Sequence, residues 1–75
     1  MSRIVLNALR KARKPLPAYE IALLFMASRS LATEDTPLLR VIHKRVGACL
    51  RNYRSKGVVR ALDGPGGRVL WEIVR

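Results

Sequence analysis

The side chains able to do chemistry in this sequence are nearly all cations, and many of them gather in one stretch. Thr36–Gly57, TPLLRVIHKRVGACLRNYRSKG, carries Arg40, Lys44, Arg45, Arg51, Arg54 and Lys56, and no Asp or Glu lies between Asp35 and Asp63. Read as a helix turning about 100° per residue, the stretch puts Arg40, Lys44, Gly47, Arg51 and Arg54 on one side, with His43 and Ser55 at its margins. Such a row suits ionic recognition of a polyanion. Arg and Lys both pair with phosphate, and the fork of Arg also matches the edge of guanine.

Catalysis is not indicated. The chain has one His and one Cys, and its acidic residues, Glu20, Glu34, Asp35, Asp63 and Glu72, are scattered. His43 and Cys49 project to different sides of a helix, so they make neither a nucleophile pair nor a metal site. Cys49 reads as a small hydrophobe. The loop Gly64-Pro65-Gly66-Gly67 lacks the strand-to-helix context and the following Lys of a phosphate cradle. The chain is read as a non-enzyme with no cofactor and no metal.

Seventy-five residues make a single domain, 1–75. At that size a chain buries only about 60% of its unfolded surface, so the core must be compact. Apolar residues make up 49%, which argues against disorder. A net charge of +10 on so short a chain repels itself. It points to a polyanionic partner, the plain alternative being a merely soluble basic surface. The single Cys excludes an internal disulfide and fits a reducing compartment. The longest apolar run, Ile21–Ala27, is far short of the roughly 20 residues of a membrane span. Asn7, Arg10 and Lys11 interrupt any apolar signal core. The expected setting is the cytoplasm, close to the nucleoid, with no membrane contact.

The elements that must position the cations follow in chain order. Ser2 is suited to cap a helix running to about Ala12, with Ile4, Val5, Ala8, Leu9 and Ala12 as its buried stripe. Arg10–Lys14, RKARK, then adds four positive charges, either as a solvated helix end or as a phosphate contact. Pro15 and Pro17 push their preceding residues into extended geometry, so Lys14–Leu16 can add a short third strand. Pro17 opens a second helix, Ala18 to about Ser28. It is apolar nearly all round and is expected at the centre of the core, with Tyr19, Phe25 and Met26 as packing residues. Leu31 is expected to tuck into the core from the connector Arg29–Asp35.

The third helix should be capped by Thr36, with Pro37 in its first turn and Gly57 past its end. Leu39, Ile42, Val46, Cys49, Leu50 and Tyr53 form its apolar stripe, roughly 100° wide. Beyond Gly57 the period changes. Val58–Leu62 and Arg68–Val74 are rich in β-branched residues and read as a hairpin around Asp63–Gly67. Val69, Trp71 and Ile73 should face the helices.

This order resembles the winged helix-turn-helix fold: an α+β domain of three helices followed by a two-stranded antiparallel hairpin, the wing. The run Val46-Gly47-Ala48-Cys49-Leu50-Arg51-Asn52-Tyr53-Arg54-Ser55-Lys56-Gly57-Val58-Val59 is similar to the end of that family's recognition helix passing into the wing. Leu50, Tyr53, Gly57, Val58 and Val59 fill the apolar and glycine places. Pro15–Ala22 resembles the entry to its second helix. The resemblance implies a small regulator or nucleoid-type binder of double-stranded DNA, with the Thr36–Lys56 helix in the major groove. Arg40, His43, Lys44, Arg45, Gly47, Arg51, Arg54 and Ser55 would line that contact. Arg60 and Arg68 would reach phosphate or the minor groove from the Asp63–Arg68 hairpin. Gly47 has an external explanation, close approach of DNA, and an internal one, close packing on another helix or a slight kink.

One feature departs from the family. The usual turn between its second and third helices has about 3–4 residues, and here the connector is longer. Either it is extended, or an extra helical turn begins at Pro37 and a bend follows near His43–Arg45. The rival readings are RNA or ribosome association, set back by the core positions expected for the aromatics, and a protein-interaction module with an acidic partner. With no helix beyond the core, a monomer or a weak homodimer is expected.

Overall fold

A computed structural model of the chain describes residues 2–74, Ser2 by its backbone alone. Three helices, α1 (Ser2–Ala12), α2 (Ala18–Ser28) and α3 (Thr36–Ser55), precede two strands, β1 (Val59–Asp63) and β2 (Val69–Ile73). The strands pair antiparallel, Val59 opposite Ile73 and Asp63 opposite Val69. A short 3-10 turn at Pro65–Gly67 joins them, with Gly66 and Gly67 at positive φ. This is the α+β order expected from the sequence. Ser2 is already inside α1 by its backbone, so the cap expected at Ser2 does not precede the helix.

Each helix buries one side. Val5 and Leu9 come from α1, Ile21, Ala22, Phe25 and Met26 from α2, and Leu39, Ile42, Val46 and Leu50 from α3. Leu16, Val59 and Trp71 close the core from the sheet side, and no polar side chain among the described residues is buried. The segment between the two prolines does reach the sheet. Leu16 N–H donates to the Trp71 carbonyl at 2.9 Å, and Trp71 N–H donates back at 2.8 Å. Leu16 thus meets β2 through a single antiparallel bridge, and the sheet keeps two strands where a short third was expected.

The helix ends are set by specific bonds. At the close of α3, Gly57 N–H donates to the Arg54 carbonyl and Val58 N–H to the Tyr53 carbonyl, with Gly57 at φ 76. That paired arrangement is a Schellman cap. It also explains why β1 starts at Val59 and not at Val58: the Val58 amide is already committed to the helix. The end of α2 has the same pattern without a glycine. Ser30, at φ 55, donates to Ala27, and Leu31 donates to Met26.

Several expectations are corrected. The N-cap of α3 is Asp35, whose carboxylate accepts from Leu38 N–H at 3.1 Å, and Thr36 is already inside the helix. Leu31 stays 36% exposed. Its amide donates to the Met26 carbonyl at the tip of α2, and the side chain remains at the surface of the connector. Tyr19 is 49% exposed and Leu24 47%, so α2 is not enclosed on all sides. Among the described residues two other helices and a hairpin surround it, and they leave its outer side open. Val69 lies on the helix-facing side of the hairpin yet is 45% exposed, because it stands at the tip, beyond the core. No bend breaks α3 near His43–Arg45; it is one helix of 20 residues, and the connector is the part that is extended.

The cap correction has a direct check. Asp35→Ala should lower the unfolding free energy by about 1 kcal/mol, since one first-turn amide loses its acceptor. Thr36→Ala should change it by a few tenths at most. Urea denaturation of the two variants beside the parent chain measures both.

Candidate nucleic-acid interface

Burial of its apolar stripe fixes the rotation of α3. Arg40, Lys44, Arg51 and Arg54 are therefore exposed, as are His43, Arg45 and Ser55. The cations of α3 form no ion pair with any described carboxylate; the bridge that does form joins Arg60 and Glu72.

Two neighbouring concavities border the cationic face. In the first, of ≈ 400 Å³, one wall is Arg40, His43, Lys44, Gly47 and Arg51. The opposite side is Ala18, at the start of α2, and Trp71 of β2. The second, of ≈ 330 Å³, lies between α3 and the hairpin. Arg51 and Arg54 face Ala61, Asp63 and Val69 across it, with Trp71 again at its edge. Arg51 and Trp71 belong to both, so helix and hairpin present one continuous surface. The start of α2 has no side-chain cap, and its first amides add partial positive charge beside the cations.

The structure thus gathers Arg40, His43, Lys44, Gly47, Arg51 and Arg54 and separates the other expected contact residues from them. Arg45 lies roughly 140° round the helix from Arg40, exposed on the other flank and lining neither concavity. Ser55 is exposed in the last turn but lines neither concavity. Arg60 sits on the opposite face of the sheet, where the register sets it across from Glu72 and the two side chains form an ion pair. Arg68 stands exposed at the hairpin tip, its carbonyl accepting from Gly64 N–H at 2.6 Å.

Three contributors to this surface were missed in the sequence. The sequence places Trp71 only in the core, yet the residue also lines both concavities. Asp63 was placed in the loop; extending the strand by one residue would have put it on the helix-facing side. Tyr19 packs edge-to-face on His43, with ring centroids 6.1 Å apart, and so flanks the cationic face.

A larger apolar groove, ≈ 500 Å³, lies between α1 and α2 and is lined by Ile4, Ala8, Ala12 and Leu24. Among the described residues, Lys11 is the one charged residue lining it. The groove shares no residue with the cationic surface. No group of His, Cys, Asp and Glu among the described residues is arranged to hold a metal ion, and none of the described helices is long and apolar enough to cross a membrane. Comparison with known protein families, curated proteins and solved structures finds no match to any of them.

Gly47 is the informative residue of the first concavity. A Cβ placed there would meet only Arg51 Nη1, at 3.5 Å, an ordinary contact. Neither close helix packing nor a kink requires glycine, and both internal explanations fall away. Gly47→Ala should therefore raise stability by about 0.5–1 kcal/mol, the helix-propensity difference. A ligand that approaches the backbone of α3 at that point should bind the variant several-fold more weakly. Thermal unfolding and a binding titration on the same two proteins test the pair of outcomes.

Proposed function

We propose that this chain is a winged helix-turn-helix domain that binds double-stranded DNA, as a small transcriptional regulator or nucleoid-type protein. The observation that carries the reading is the open row of α3 cations, unpaired among the described residues and continuous with the inner side of the hairpin. A chain at +10 that leaves such a row uncompensated has a surface matched to a phosphate lattice.

In this reading α3 lies in the major groove. Arg40, Lys44 and Arg51 hold phosphates or guanine edges, and the Gly47 gap lets the helix backbone come close. The hairpin is the wing, with Arg68 at its tip directed to the flanking backbone. Arg60 has little part, because Glu72 already holds its charge. Arg45 and Ser55 are left to the outer edge of the helix, where they meet phosphates of the far strand. One copy suffices for these contacts.

Structured RNA is the second reading, and one observation favours it. Tyr19 is half exposed beside His43, at the border of the cationic face, where an unpaired base could stack. Binding to a duplex and to a structured RNA at matched salt separates the two.

The duplex reading predicts a strong salt dependence. With about five to seven phosphates neutralised, the logarithm of the association constant should fall against log salt with a slope of about −5 to −6. Arg51→Glu should weaken binding roughly tenfold or more near 0.1 M salt and flatten that slope. Fluorescence anisotropy on mixed-sequence duplexes measures both, and an Arg51→Glu variant with unaltered affinity would remove the α3 face as the contact surface.

A further inference from the structure

The helix-facing side of the hairpin changes character along its length. At the base Val59 opposes Ile73, and both pack on the core; midway Ala61 opposes Trp71; at the tip Asp63 opposes Val69. The tip pair stands past the core and is exposed. Across the ≈ 330 Å³ cleft it looks at Arg51 and Arg54.

Asp63 is the one carboxylate that lines either concavity of the cationic surface. Its side chain has no hydrogen bond or ion pair within the described residues. It does not close the turn either, since that is done by the bond from Gly64 N–H to the Arg68 carbonyl. A seat for phosphate needs donors alone, and a carboxylate there repels the ligand. A lone acceptor facing two guanidinium donors beside Ala61 and Trp71 has the mixed donor–acceptor pattern of a base edge.

We propose that the cleft between α3 and the hairpin admits a base edge and excludes backbone phosphate, with Asp63 accepting from an exocyclic amino group. Cytosine N4 is the best match for a carboxylate, and Arg51 or Arg54 donates to the adjoining guanine. Asp63 then sets sequence preference within a surface otherwise devoted to phosphates. This rests on the duplex-DNA reading of the same surface.

Asp63→Asn keeps the size and removes the charge. With no partner to lose, its melting temperature should match that of the parent chain. The parent chain is first used to enrich duplexes from a random library, and both proteins are then titrated with the enriched duplexes and with a mixed-sequence pool. The variant should bind the mixed pool about 3- to 10-fold tighter, its salt slope should steepen by up to about 1 as a further phosphate is engaged, and its preference for the enriched duplexes should shrink. A variant that matches the parent on both pools overturns the inference, and so does a library that yields no enrichment. Arg54→Glu separates the two levels. If it weakens binding to both pools while Asp63→Asn changes nothing, the duplex reading stands and this inference fails. A parent chain that binds no duplex at low salt removes both.

Discussion

Burying Leu39, Ile42, Val46 and Leu50 leaves α3 a single rotational setting. These residues recur at helical spacing, so their enclosure points one side of the cylinder at α2 and the sheet. The cations between them in sequence have only the opposite side to occupy. Rotating the helix to hide Arg51 or Lys44 would expose Val46 and Leu50, both fully buried, and would place unpaired charge in the core, a penalty of several kcal/mol per ion. The electrostatic surface is thus a consequence of the hydrophobic one.

Trp71 transmits that setting to the hairpin. Its backbone is bonded in both directions to Leu16, its side chain is buried in the core, and the residue lines both concavities. The position of the hairpin relative to α3 therefore depends on a core residue. The tip, two pairs further on, extends past the core and carries Asp63, Val69 and Arg68 beside the helix cations.

Much of this was legible in the sequence. Proline punctuation and apolar spacing gave the bounds of α1 and α2, and the stripe on α3 was read correctly because a helix seated on a core has one strong period. What was not legible depends on competition between neighbours. Asp35 and Thr36 are both good caps; the bond from Leu39 N–H to the Asp35 carbonyl shows that the helix begins one residue earlier. Val58 has strand propensity, but its amide was taken by the cap of α3. The apolar run of α2 could not tell which of its sides would be covered, so Tyr19 and Leu24 came out exposed. Arg60 looks like a contact cation in the sequence, which does not give the strand register, and the register delivers it to Glu72.

The central claim is that the outward side of α3 and the inner side of the hairpin act as one surface for a duplex. The most direct test is to assign the backbone amides by NMR and follow their shifts as a short mixed-sequence duplex is added. The account predicts that shifts cluster at Arg40, Lys44, Gly47, Arg51 and Arg54 and at residues 63–69, while those of Ile4, Ala8 and Leu24 stay still. Shifts concentrated in the groove between α1 and α2, or on the Arg60–Glu72 face of the sheet, would contradict it.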